Sequence, residues 1–168
     1  MRVLVAFLLF AAVLGLIHAP AAFTAQDKFP PPPKVPTDRV LIVSAEDVAT
    51  AQTRVPGVGT TLYDGGTFAG SGLKRNDAEE GPVRHSLTTE VYVIQSGSGT
   101  YTSGGTLVGP LTEHPGTKDA IFGTAIKGGE SHEVKAGDVV VIPAGVPHQF
   151  TAIHTPVAYV NVKFQVKK

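Results

Sequence analysis

The sequence predicts an all-β domain, a sandwich or barrel of short antiparallel strands, with one short helix near its N-terminal end. Three observations point there. Nineteen glycines and thirteen prolines in 168 residues require many turns. From Gly57 onward the chain divides into ten short β-rich runs, separated by glycine-containing turn signals such as Asp64-Gly65-Gly66 and Gly128-Gly129. The last run alternates: Val160, Val162, Phe164 and Val166 share one face, and Asn161, Lys163 and Gln165 share the other, the pattern of a half-buried antiparallel strand.

Along the chain, residues 1–25 read as a secretory leader. Arg2 supplies the basic start, Val3 to Ile17 is almost wholly apolar, and small residues follow at Ala19, Ala21, Ala22 and Ala25. The apolar run is short for a membrane span, so cleavage after Ala25, or after Ala19 or Ala22, is expected to leave no stable span and a secreted or periplasmic protein. Residues 26–37 contain Pro30, Pro31, Pro32, Pro33 and Pro36 and read as an extended linker. The domain then covers 38–168, with its barrel core over about 55–168.

Arg39 to Val43 has strand composition. Ser44 followed by Asp47 predicts a capping box, and Ala45 to Gln52 a two-turn helix packed on the outside. Strands are expected over 60–63, 67–74, 83–87, 90–95, 99–103, 120–126, 132–134, 139–142, 148–153 and 157–166, with 109–118 a polar surface loop.

Composition removes several functions. Fourteen basic and fourteen acidic residues cancel, which leaves no electrostatic case for nucleic acid or an anionic membrane surface. The absence of cysteine excludes disulfides, thiolate metal sites and cysteine nucleophiles. No G-x-S-x-G elbow and no phosphate-binding loop before a helix is present.

Metal ligands must therefore be His, Asp or Glu. His18 belongs to the leader, His114 and His154 fall in expected loops, and His132 reads as an exposed strand residue. His85 and His148 are different. If His85 points inward, the next strand's inward set is Glu90, Tyr92 and Ile94, which places a carboxylate beside an imidazole. An inward Glu among apolar neighbours is costly unless paired or metal-bound. His148 follows the rigid turn Pro143-Ala144-Gly145-Val146-Pro147, with Phe150 and Ala152 as its inward companions. Tyr92 and Phe150 are expected in the barrel interior, as core or as pocket lining. Arg75 and Arg84 flank the entrance strands and Gln149 adjoins His148; an arginine there can clamp a substrate carboxylate or simply be solvated.

His85 is followed after four residues by Glu90 and after six more by Gly97. Gly137 is followed after five residues by Pro143, after one by Gly145 and after two by His148. This spacing resembles the two motifs of the cupins, G-x5-H-x-H-x3-4-E-x6-G and G-x5-P-x-G-x2-H-x3-N. The stretch GDVVVIPAGVPH, residues 137–148, is the specific part; the two motifs and the stretch between them span 81–152. The resemblance implies a double-stranded β-helix, or jelly-roll barrel, with metal ligands at His85, Glu90 and His148. Two departures stand out: Val83 occupies the place of the leading histidine, and Ala152 that of the closing asparagine.

Two imidazoles and one carboxylate form a facial triad with open positions, suited to Fe(II) and also to Zn, Cu, Ni or Mn. Outside the cytoplasm the last four gain weight over Fe(II). The alternative is a barrel that has lost its metal, with His85 and Glu90 hydrogen-bonded to each other. The resemblance implies either a metal-dependent enzyme acting on a small molecule, an oxidoreductase or isomerase, or a non-catalytic module that binds a small molecule or metal. Exposed edge strands leave homodimer pairing open.

Overall fold

Two long bent strands organise the domain, β4 (Thr88–Ser103) and β11 (His148–Gln165). They are seen in a computed structural model that describes residues 31–55, 57–114 and 119–166. The leader read over residues 1–25 and the linker's first residues lie outside the described residues. Pro32–Lys168 groups as one compact unit.

β11 runs antiparallel to β4 from His148 opposite Ser103 to Gln165 opposite Thr88, with register shifts between Phe150 and Tyr159. The bend divides each strand between two flanks of one curled nine-stranded sheet. On one flank β1 (Thr60–Asp64), β2 (Phe68–Arg75), the C-terminal half of β11, the N-terminal half of β4 and β10 (Val139–Ile142) lie side by side. The other flank contains β9 (Glu130–Lys135), the remaining halves of β4 and β11, β3 (Val83–His85), β7 (Ala120–Phe122) and β6 (Thr112–Glu113). A separate pair joins β5 (Thr106–Val108) to β8 (Ala125–Lys127). This is the expected double-stranded β-helix. Among the described residues no helix is long and apolar enough to cross a membrane.

Several elements differ from expectation. The gap expected between strands 90–95 and 99–103 is absent: β4 continues through Gly97-Ser98-Gly99. The reason is a bend shared with β11: Gly97 adopts φ 81°, and a Cβ there would stand 2.0 Å from the Pro156 carbonyl oxygen. Pro156 contributes no N–H, which suits a kink where ladder bonding lapses. Gly97→Ala is therefore expected to lose about 2 kcal/mol from left-handed strain and close contact. Urea unfolding reads this, and a loss under about 0.5 kcal/mol would contradict the bend. Likewise the two runs over 148–153 and 157–166 form one strand, whereas 120–126 forms two, separated by Gly123 and Thr124.

The helix α1 (Ala45–Arg54) starts where expected. Ser44 accepts from the Asp47 amide at 3.1 Å and Asp47 accepts from the Ser44 amide at 3.1 Å, the reciprocal capping box. It lies on β1 and β2, with Ala51 facing Gly72; a Cβ on Gly72 would come within 2.9 Å of the Ala51 Cβ. Arg39–Val43, by contrast, forms no strand, and Val40 and Ile42 are exposed. Strand composition is a preference for a pleated, half-buried surface, and no neighbouring strand offers this segment one. Just before it, the end of the proline-rich segment pairs with β1: Val35 N–H donates to the Asp64 carbonyl at 2.9 Å, the Asp64 N–H to the Pro33 carbonyl at 3.0 Å, and Lys34 forms an ion pair with Asp64.

The structure settles which of the two faces of β11 is inside. Tyr159 and Asn161 are buried and Lys163 points inward with them, while Val160, Val162 and Phe164 face out. Outside, register aligns Val139, Val93 and Val160 in one row and Val141, Val91 and Val162 in the next. Inside, Tyr92, Tyr101, Phe150 and Tyr159 form an aromatic cluster with ring centroids 4.6–6.0 Å apart.

Candidate metal centre

Glu90 sits on the inner face of β4, opposite Ile142 on one side and Lys163 on the other. His85 ends β3 and His148 begins β11, so the imidazoles come from one flank of the sheet and the carboxylate from the other. The turn before His148 is tied directly to His85. Gly145, at φ 89°, donates its N–H to the His85 carbonyl at 2.7 Å, and the Val146 N–H reaches the Pro143 carbonyl at 3.1 Å. The fixed φ of proline on both sides of this turn holds His148 at the start of its strand.

One atom from each of His85, Glu90 and His148 lies within 4.8 Å of the others. Glu90 Oε2 is 3.1 Å from His148 Nε2 and 3.6 Å from His85 Nε2. The Glu90 and His148 side chains are 1% and 2% exposed, and that of His85 15%. His148 Nδ1 stands 3.0 Å from the Val146 carbonyl, which calls for a proton on Nδ1 and leaves Nε2 a lone pair. Yet Glu90 Oε2 and His148 Nε2, though close, make no hydrogen bond. Two buried acceptors thus face each other, and neither can satisfy the other. A cation resolves this, since neighbouring ligand atoms on an ion about 2.1 Å away stand about 3 Å apart. The residues fit a divalent metal, and the cluster can hold one.

The surrounding residues orient the three ligands. Glu90 Oε1 accepts from Asn161 Nδ2 at 2.8 Å and lies 3.0 Å from Lys163 Nζ, which leaves Oε2 for the histidines. Asp119 Oδ2 stands 3.4 Å from His85 Nδ1; its carboxylate also accepts from the Leu87 amide at 2.5 Å and the Thr88 hydroxyl at 2.6 Å. A carboxylate behind a ligating histidine fixes its ring and raises its basicity as a ligand.

The same contacts set protonation. Burial lowers the pKa of His85 against the opposing charge of Glu90, which favours the neutral imidazole a metal needs. Burial alone would raise Glu90, but a hydrogen bond from His148 when that imidazole carries its second proton, and the Lys163 charge, outweigh it and hold the carboxyl well below its usual range. Asp119 also falls: burial works against ionisation, and the Thr88 and Leu87 donors overcome it.

Tyr92 and Phe150 are buried interior residues. The Tyr92 ring lies edge-on to His148 at 6.4 Å, and the Tyr101 ring stacks on His148 at 6.2 Å. Arg75 is engaged elsewhere, with Glu79 at 2.5 Å and the Tyr159 hydroxyl at 2.9 Å, and Gln149 donates to the Glu79 carbonyl at 2.8 Å. His154 lies within β11 rather than in a loop, 3.0 Å from Glu133. His132 is on an exposed strand, as expected. Asn161, Lys163, Asp119 and Tyr101 were not singled out from the sequence. The polar face of the last strand was the signal for the first two.

No protein-family model matches the chain, and no curated protein does. Solved structures do. A Bacillus halodurans protein is similar at a TM-score of 0.53 with 15% identity, over 80% of this chain and 87% of the other. Hydroquinone 1,2-dioxygenase from Sphingomonas sp. TTNP3, solved with 4-hydroxybenzoate bound, is similar at 0.52 with 13% identity, over 80% and 84%. A Klebsiella pneumoniae protein with a double-stranded β-helix domain gives 0.49 with 14% identity, over 76% and 91%. At these identities the likeness is one of fold.

Proposed function

This chain has the cupin fold, and from that premise we infer that it is an exported metalloprotein that binds one divalent ion through His85, Glu90 and His148 and presents it to a small molecule, as a metal-dependent oxidoreductase. The single observation behind this is the unsatisfied pair of Glu90 Oε2 and His148 Nε2, 3.1 Å apart in a buried site. The leader-like residues 1–25 support export. A dioxygenase of the same fold, with an aromatic acid bound, supports an oxidative reaction on a small organic molecule.

An ion held here supplies Lewis acidity and open coordination positions. The chain's own residues do the rest. Asn161 holds the non-ligating oxygen of Glu90, Asp119 steadies His85, and the aromatic cluster of Tyr92, Tyr101, Phe150 and Tyr159 keeps water from the inner side. Access is from the His85 side, where exposure is greatest among the three ligands.

The test is metal content. Protein purified from the exported fraction is stripped with chelator, dialysed in turn against Mn, Fe, Co, Ni, Cu and Zn, and analysed by elemental spectrometry. About one ion per chain is expected with at least one of these metals, falling to background in His148→Ala. Background levels with every metal would remove the reading.

A further inference from the structure

We propose that Lys163 is the anion-binding residue of this centre, so that the small molecule presented to the metal carries an anionic oxygen: a carboxylate, phenolate or enolate. The proposal rests on the metal-site reading above and adds the class of ligand. Lys163 lies on the inner face of β11 in register with Glu90, and its Nζ is 3.0 Å from Glu90 Oε1. Its side chain is nevertheless 37% exposed, against 1% for Glu90 and 2% for His148. It therefore bridges the buried ligands and the solvent from which a ligand arrives.

Orienting Glu90 does not require it. Asn161 Nδ2 already donates to the same oxygen at 2.8 Å, and a cation beside a ligating carboxylate withdraws charge from the metal. What Lys163 changes is the sign of the site. Two neutral imidazoles, the Glu90 and Asp119 carboxylates, the Lys163 ammonium and a divalent ion together leave one positive charge. Arg75 and Glu79, a part-buried pair, cancel each other. A monoanion neutralises that charge, and in a partly desolvated site the pairing strengthens. Without Lys163 the sum is zero and a neutral ligand is no longer at a disadvantage.

The experiment uses Co(II), whose visible absorption reports its ligands. Metal-stripped wild type, Lys163→Met and Lys163→Arg are each titrated with Co(II), and the loaded proteins are then titrated at constant ionic strength with acetate and, separately, with neutral imidazole. Lys163→Met is expected to bind Co(II) at least as tightly as wild type and acetate about tenfold more weakly, with imidazole affinity unchanged and Lys163→Arg close to wild type for acetate. Equal acetate affinity in wild type and Lys163→Met overturns this proposal alone. Equal losses for acetate and imidazole also overturn it, because they mark a structural role. Failure of wild type to take up Co(II) overturns this proposal, and failure with every metal overturns the metal reading as well.

Discussion

Phe150→Ala is expected to lower the unfolding free energy by about 3–5 kcal/mol, a large share of the roughly 5–15 kcal/mol that holds a domain of this size. Phe150 is fully buried, edge-on to Tyr101 at 4.8 Å and 5.8 Å from Tyr159. Both neighbours are rigid aromatic rings on separate strands, so they cannot collapse into the space and a cavity remains. The Phe150 amide keeps its bond to Glu79 at 2.7 Å, which confines the loss to packing. Phe150→Leu, with a smaller void, is expected to lose less than half as much. Urea denaturation compares the three proteins. An alanine variant within about 1 kcal/mol of wild type would mean the aromatic cluster does not pack as described. Because Tyr101 also stacks on His148, the alanine variant is expected to bind metal more weakly as well.

The site was more legible than the strand order. Glu90 and His148 could be read because each breaks a local rule: a carboxylate in an inward apolar series, and a histidine locked behind two prolines. The fold class followed from glycine and proline turns. Strand limits were misread where one long strand bends, since Gly97 looks the same in a sequence whether it turns the chain or kinks a strand around the Pro156 carbonyl. Alternation left a different point open. Period two shows that Val160, Val162 and Phe164 share a face but not which face is inside. The usual assignment puts valine in. Here Asn161 and Lys163 point inward because Glu90 is there to receive them, while the valines pair outside with Val91, Val93, Val139 and Val141. A buried carboxylate needs donors from the adjacent strand, and β11 is that strand. Reading Glu90 as inward therefore implied a polar inner face for its neighbour, an inference that needed the β4–β11 pairing.

Glu90→Gln is expected to lose far more stability with metal than without it. In the metal-free wild type, Glu90 Oε2 and His148 Nε2 confront each other 3.1 Å apart without a shared proton. Asn161 donates to the other oxygen, so a glutamine at 90 keeps its carbonyl there and turns its amide group toward His148. That supplies the missing hydrogen bond, worth about 1 kcal/mol. Against it stands the loss of a carboxylate that Lys163 and the facing imidazoles hold ionised. In chelator the two effects oppose each other, and the variant should melt close to or somewhat below the wild-type temperature. With metal at a thousandfold its dissociation constant, wild type gains about 4 kcal/mol. A neutral carboxamide is a poor ligand; if affinity drops by about 100-fold, that gain shrinks to about 1.5 kcal/mol. Thermal melts in chelator and in excess metal give both numbers from one pair of proteins. Equal metal-induced shifts would show that Glu90 is not a ligand. A variant losing more than about 2 kcal/mol in chelator would show that the carboxylate is a structural partner of His148 and Lys163, and that the two acceptors are not waiting for a cation.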